Sequence, residues 1–390
     1  MKKIGLFLNA RPQEGGMFQY AVAMLAALRV LPADEYSLVI AYADDAWRER
    51  VLGCGCSSFP VGFGMFKNWL VKIPAFLPAY FDSWDRATTL FSGWGGSLLR
   101  QKCDLWLFPR QEVWSALFPL PVLASVHDLM HRYEPHFPET SSYRRTHYRD
   151  AYLRRVCQRA RGILVDSEIG KQQVQQSYGT ENSRLFVLPY IAGDHLSDGG
   201  KGSDFEKKYQ LPSKYVFYPA QFWEHKNHVR LVQAIAALRE DLPDIRMVLV
   251  GSEKNGGSAA RKEVEKLGLQ RYVRFSGYVP DSDIANFYRR ARGLVLPTLF
   301  GPTNIPPLEA FALGCPVAVS KVYGMPEQVG DAGLLFDPYS VESIASSIRQ
   351  LWLDDDLCQT LRRRGKARAA AWGPQQFATS LHGVIQQLTN

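Results

Sequence analysis

Short apolar runs alternate with helical stretches along this chain, and the rhythm occurs twice, which restricts the fold to α/β architectures built on parallel sheets. In the first half the runs fall at Ile4 to Leu8, Ser37 to Tyr42, Leu105 to Phe108, Val122 to Val126, Ile163 to Val165 and Leu185 to Leu188, with helices expected over Met17 to Leu31 and Ser142 to Ala160. The second half repeats the order, with runs at Tyr215 to Tyr218, Arg246 to Val250, Val273 to Phe275, Leu294 to Leu296, Val317 to Val319 and Leu334 to Phe336. Helices there start near Asn227, Ser258, Asp281, Pro306 and Ser340. Strand, helix, strand in series gives doubly wound parallel sheets. Ile191 to Phe205 is rich in Gly, Ser and Asp and has no periodicity, so it reads as a linker. A length of 390 residues exceeds what one core supports. The expected organisation is two domains, 1–195 and 205–372. Asp354 to Ala371 and Pro374 to Gln387 read as helix alone, and a return of the terminal helix, 373–390, onto the first domain is open to it.

Composition narrows the class. Hydrophobic residues at 46% and charged residues at 22% describe a globular chain rather than a disordered one. The 46 basic residues outweigh 38 acidic ones to leave +8, which suits an anionic ligand, an anionic membrane surface or nucleic acid. Cys54, Cys56, Cys103, Cys157, Cys315 and Cys358 are scattered and lack the spacing of a structural zinc site, so reduced thiols in the cytoplasm are expected. The opening MKKIGLFLNAR reads as a first strand rather than a secretion signal, because its apolar run stops at Asn9 and Arg11. No uncharged run reaches the length of a membrane span.

The polar candidates share a position. Gly15 and Gly16 follow the first strand, His127 and Asp128 follow Val122 to Val126, Gln221 and Lys226 follow the second half's first strand, and Gly301 follows Leu294 to Leu296. These are carboxyl ends of strands, the edge at which open parallel sheets take ligands, and two such sheets facing a cleft would gather them. In GLVLPTLFGPTNIPPLEAFAL, Gly293 to Leu313, a buried strand, a loop of small residues and a helix point backbone N–H groups and a positive helix end at one spot, where a phosphate would be held. Glu309 then stands near enough for ribose hydroxyls, or is a solvated acid behind a tight turn. Gly15 and Gly16 serve as turn glycines or open bare amides to a ligand. His127 is a core histidine bonded to Asp128, or a contact to a sugar hydroxyl or a proton carrier. Lys226, just before a helix, opposes the helix dipole unless an anion is present. His225 and His228 read as exposed loop residues rather than metal ligands, and no bound metal or cofactor is expected.

YPAQFWEHKNH, LVGSEKN, VRFSGYVPDSDIANFY, GPTNIPPLEAFALGCPVAVS and GMPEQVGDAGLLFDP, in this order and spacing, resemble the donor-binding half of family 4 retaining glycosyltransferases. The resemblance implies the glycosyltransferase-B fold: two Rossmann-like domains around a cleft, a first acceptor-binding domain, and a second domain holding a nucleotide-sugar donor without a required metal. It implies that Lys226 binds phosphate, that Glu309 is the second Glu of the family's Glu-x7-Glu motif and contacts the ribose, and that Gly16 faces the donor phosphates. His127 matches the family's active-site His near the transferred sugar. Thr303, Asn304 and Ile305 match a loop whose amides touch sugar and phosphate, while Tyr278 and Val279 match the region bordering the base. Two positions depart: Gly301 stands where the motif's first Glu belongs, and Gln221 where the family has arginine. Losing an anion and a cation together leaves the local charge sum unchanged, which points to a subgroup adapted to another donor sugar. Pro302 also removes a backbone donor.

The expected activity is transfer with retained anomeric configuration, of a hexose or deoxyhexose of mannose or rhamnose type, to a saccharide or lipid-linked saccharide in cell-surface polysaccharide assembly. Lys226 and helix N-termini would stabilise the departing diphosphate, with His127 and Glu309 beside it. The acceptor is expected on the first domain, where Gly62 to Trp84 mixes aromatics with Lys67 and Lys72. The basic stretch Ser141 to Arg161 reads as a solvated face or as a contact to anionic lipid at the inner face of a membrane. A nicotinamide dehydrogenase would need G-x-G-x-x-G after the first strand, which RPQEGGMFQY lacks, and no nucleic-acid recognition motif accompanies the charge. A sugar-nucleotide epimerase or a non-catalytic sugar binder remains as an alternative.

Overall fold

The computed structural model describes residues 1–53, 55–62, 93–196 and 204–390, and the chain divides into two compact units. The first comprises Met1–Tyr133, Thr140–Pro189 and Pro374–Asn390; the second comprises Glu134–Glu139 and Tyr190–Gly373.

In the first unit, buried apolar runs become β1 (Lys2–Leu8), β2 (Tyr36–Tyr42), β4 (Leu105–Phe108), β5 (Val122–Ser125), β6 (Gly162–Val165) and β7 (Leu185–Val187), joined by β3 (Ser57–Pro60). Among the described residues they form one parallel seven-stranded sheet in the order β3-β2-β1-β4-β5-β6-β7. Strand β3 carries no apolar alternation and pairs with β2 alone at the sheet's edge, where Pro60 leaves no central ladder broken. Its sequence therefore gave no strand signal. The helices are α1 (Gly16–Arg29), α2 (Gly93–Arg100), α3 (Tyr143–Arg159) and α4 (Glu168–Tyr178). On α3 the basic stretch is only partly solvated, since Arg155 is buried and Arg149 pairs with Asp128 at 2.7 Å. The terminal helix Pro374–Thr389 buries Phe377, Leu381 and Ile385 in this unit, with the Phe377 ring edge-on to Tyr20 of α1 at 6.2 Å. Burying side chains of this size contributes about 1.5–3 kcal/mol each, which fastens the helix there.

The second unit repeats the scheme with β8 (Val216–Pro219), β9 (Met247–Val250), β10 (Val273–Phe275), β11 (Gly293–Leu296), β12 (Val317–Ser320) and β13 (Gly333–Phe336). These form a parallel sheet in the order β10-β9-β8-β11-β12-β13. Helices α5 (His228–Leu238), α6 (Gly257–Lys266), α7 (Asp281–Arg290), α8 (Ile305–Leu313), α9 (Val341–Leu353) and α10 (Asp355–Ala371) connect or flank the strands. Phe217 of β8 stacks on Phe287 of α7 at 5.4 Å, so the first strand and a flanking helix share one apolar core. Each sheet starts in its middle and reverses direction there, between β1 and β4 and between β8 and β11. Those reversals leave a crevice at the carboxyl edge, and the candidate residues stand beside them.

Candidate active site

In the second unit the site is built from the turn after β8 and the loop after β11. A short 3-10 turn, Glu224–Lys226, leads into Asn227, which has left-handed backbone angles (φ 60°, ψ 35°) that Asn tolerates. Asn227 Nδ2 donates to the Pro297 carbonyl at 3.0 Å and the Pro338 carbonyl at 2.8 Å, tying this turn to the neighbouring loop. Leu299 N–H donates to the His225 carbonyl at 2.8 Å, a second tie. Lys226 Nζ then donates to Asn304 Oδ1 at 3.0 Å, a bond that spans the β8/β11 reversal.

The β11 loop is more constrained than its sequence suggested. Gly301 has φ +135°, and a Cβ there would lie 2.9 Å from Asn304 Nδ2, so the place of the expected Glu is one that side chains rarely adopt. Asn304 N–H donates to Gln328 Oε1 at 3.1 Å, and Gln328 Nε2 returns a bond to the Asn304 carbonyl at 2.7 Å. Helix α8 begins with prolines, and Pro302, Pro306 and Pro307 carry no N–H. The set of amides expected to face a phosphate is thus reduced: among Thr303, Asn304 and Ile305, the Asn304 donor is already engaged. Gln221 is also engaged, its Oε1 accepting from Trp223 Nε1 at 2.9 Å.

Glu309 lies on the buried side of α8, 8% exposed. Its carboxylate accepts from Tyr288 Oη at 2.7 Å and lies 3.5 Å from His195 Nε2. Burial disfavours a charged His195 ring, but the adjoining carboxylate more than offsets this and raises its pKa above the ordinary value. Tyr278 is exposed and Val279 is buried, so of this pair Tyr278 has the side chain open to solvent.

His225 and His228 are not exposed loop residues. His225 Nδ1 meets Glu139 Oε1 at 3.0 Å, and its partner's pKa is lowered to about 2: burial works against the Glu139 charge, and the hydrogen bond to His225 outweighs it. His228 is 3% exposed, its ring stacked on Phe222 at 4.3 Å, and burial first, then the Lys226 charge, pushes it down to about 3. The sequence misled here because a helix start looks exposed until the aromatic wall over it is seen. Glu134, from the same short segment as Glu139, accepts from the Tyr323 hydroxyl.

In the first unit Gly15 has φ 60° and ψ −114°, a backbone that suits glycine, and α1 begins at Gly16. His127 is buried, with Nε2 2.7 Å from the Pro109 carbonyl. Because a carbonyl only accepts, Nε2 carries the proton. Burial lowers the ring's pKa, so it is neutral. Gln111 clamps the loop: its Oε1 accepts from the N–H groups of His127 (2.6 Å) and Asp128 (3.0 Å), and its Nε2 donates to the Asp128 carbonyl at 2.9 Å. Asp128 Oδ1 accepts from Arg149 Nη2 at 2.7 Å. The candidate surface at Gly62 to Trp84, with Lys67 and Lys72, lies outside the described residues apart from Gly62.

His195, Tyr288, Gln328, Glu139 and Gln111 were missed by sequence reasoning. Tyr288 and Gln328 lie inside the quoted stretches VRFSGYVPDSDIANFY and GMPEQVGDAGLLFDP, yet neither letter showed what it would bond, and Gln111 acts within the first unit while the other four act within the second. Among the described residues, no group of three or more His, Cys, Asp and Glu could hold a metal ion, and no helix is long and apolar enough to cross a membrane.

Two parallel-sheet Rossmann-like units, with the polar residues of each at carboxyl strand ends, define the glycosyltransferase-B fold, and the family model for glycosyl transferases group 1 matches residues 203–368. That match lies within the second unit. Over 62% of its length the chain is 30% identical to O-antigen chain mannosyltransferase B of Escherichia coli, covering 65% of that protein. It is 26% identical over 62% of its length to a D-inositol 3-phosphate glycosyltransferase of Corynebacterium jeikeium, covering 62% of it. The matches thus span less than two thirds of either relative. Among solved structures, Anabaena HepE in complex with UDP superposes with a TM-score of 0.72 at 17% identity, covering 99% of this chain and 100% of that one, a likeness of fold.

Proposed function

We propose that this chain is a retaining, metal-independent glycosyltransferase that moves a hexose or deoxyhexose, of mannose or rhamnose type, from a nucleoside-diphosphate sugar to a saccharide or lipid-linked saccharide. The observation that carries the reading is Lys226 Nζ held 3.0 Å from Asn304 Oδ1 across the β8/β11 reversal, inside the segment that matches the family. A cation fixed at that strand end supports the reading, since a preorganised donor facing a diphosphate is worth about 3–4 kcal/mol to a developing anion. Glu309, held by Tyr288 and His195, supplies carboxylate oxygens to ribose hydroxyls. In the first unit, His127 is neutral and Gly16 opens a helix, which suits contacts to uncharged sugar hydroxyls and to phosphate respectively. The mannosyl donor class is supported by the O-antigen relative, and a nucleoside-diphosphate donor by the UDP complex of HepE.

The test is product analysis with a panel of nucleoside-diphosphate sugars and neutral acceptors. Formation of a glycoside of retained configuration, lost in Lys226→Ala, is expected. Release of nucleoside diphosphate without any glycoside would assign the fold to an epimerase, and binding without turnover to a sugar binder.

A further inference from the structure

Asn304 stands at the head of α8 with extended backbone angles (φ −139°, ψ 146°), yet its side chain does not cap the helix. An Asn in that place ordinarily turns its side-chain oxygen to the N–H of the second or third helical residue. Here those residues are Pro306 and Pro307, which have no N–H to offer. The oxygen is left for another donor, and Lys226 Nζ meets it at 3.0 Å. Because an ammonium only donates, this contact fixes which end of the amide is oxygen. The nitrogen end, Nδ2, donates to Met325 Sδ at 3.3 Å.

The backbone of Asn304 is held separately. Its N–H donates to Gln328 Oε1 at 3.1 Å, and its carbonyl accepts from Gln328 Nε2 at 2.7 Å. One carboxamide thus pairs with both backbone polar groups of one residue, which fixes the backbone there more firmly than a single bond would. Gln328 and Met325 are three residues apart in the short helix Met325–Val329, and at that spacing helical side chains share a face. The helix follows β12, and β12 pairs with β11, which brings it beside the loop that follows β11. Both backbone groups and both ends of the Asn304 side chain are therefore met by residues outside α8.

We propose that Gln328 is a positioning residue for donor binding: it fixes Asn304, and Asn304 in turn sets where the Lys226 ammonium stands. The word donor rests on the transferase reading above, while the route from Gln328 to Lys226 rests on the hydrogen bonds themselves.

A double-mutant cycle on the full chain tests it, with GDP-mannose, UDP-glucose and dTDP-rhamnose titrated calorimetrically into the wild type, Gln328→Met, Lys226→Ala and the double variant. Methionine keeps the length and unbranched shape of glutamine but lacks the carboxamide. Gln328→Met should bind the preferred sugar nucleotide about tenfold more weakly than the wild type, a factor in the range of one hydrogen bond. In the Lys226→Ala background the same change should weaken binding by less than about twofold, because the group that Gln328 places is gone. A residue that served only the stability of the loop would lower the melting temperature and change affinity by the same factor in both backgrounds. Gln328→Ala leaves room for water at the Asn304 N–H and carbonyl, and stands in where Gln328→Met does not fold. Equal factors in the two backgrounds, or wild-type affinity in the Gln328 variants, would overturn the proposal and leave the donor reading in place. A wild type that binds none of the three sugar nucleotides would remove the donor reading, and the proposal with it.

Discussion

Lys226 is the side chain on which the donor reading turns, and its effect should be steep. Lys226→Ala is expected to lower kcat by about 10²–10³-fold with a much smaller change in melting temperature, since the Nζ bond to the Asn304 amide adds about 1 kcal/mol to stability while a preorganised cation acts mainly on the developing anion. Steady-state kinetics beside thermal unfolding checks both halves. Tyr288→Phe should act differently. It removes a donor from the buried Glu309 carboxylate, so a rise in KM for the nucleotide sugar and a stability loss of about 1–3 kcal/mol are expected, measured by kinetics and denaturant titration. The contrast also marks what sequence made legible. Lys226 and Glu309 could be singled out because both fall in the stretches that resemble the family, YPAQFWEHKNH and GPTNIPPLEAFALGCPVAVS. Tyr288 and His195 could not, because nothing in DSDIANFY or GDHL announces that a hydroxyl and an imidazole will close on a carboxylate from other segments.

The β11 loop behaves as a unit rather than as a row of contacts. Gly301, Asn304 and Gln328 interlock, so restoring the family's missing acid should harm the protein: Gly301→Glu forces a Cβ to within 2.9 Å of Asn304 Nδ2 at φ +135°. A destabilisation of about 1–3 kcal/mol and weaker donor binding are expected, read by thermal shift with and without nucleotide sugar. Elements with strong periodicity were readable in advance. Strand β4, all apolar and all buried, and α5, apolar on one face, have sequences that admit little else. Edge strand β3 was invisible because its half-exposed SSFP needs only backbone pairing with β2. The loop's prolines were visible as letters, yet their consequence, a helix start short of donors, appeared only when the register of α8 was known.

Across the whole molecule, acid should unfold the protein through groups buried in one charge state. The His228 ring sits near pKa 3 against an ordinary 6.5, so the unfolded chain takes up this proton first. Its contribution is complete above about pH 6.5 and falls as pH drops toward 3. Glu139, lowered from 4.5 to about 2, contributes fully above 4.5 and loses its share as pH falls through that window. Melting temperature should therefore decline on acidification from pH 6.5 downward, and His228→Phe should flatten the upper part of that decline. The chain path carries one more consequence. Glu134–Glu139 leaves the first unit's sequence to complete the second, and Pro374–Asn390 does the reverse. A scissor cut at residue 190 would deprive each half of a piece the other has borrowed, so separately expressed halves should be insoluble until mixed, and activity should return only by complementation.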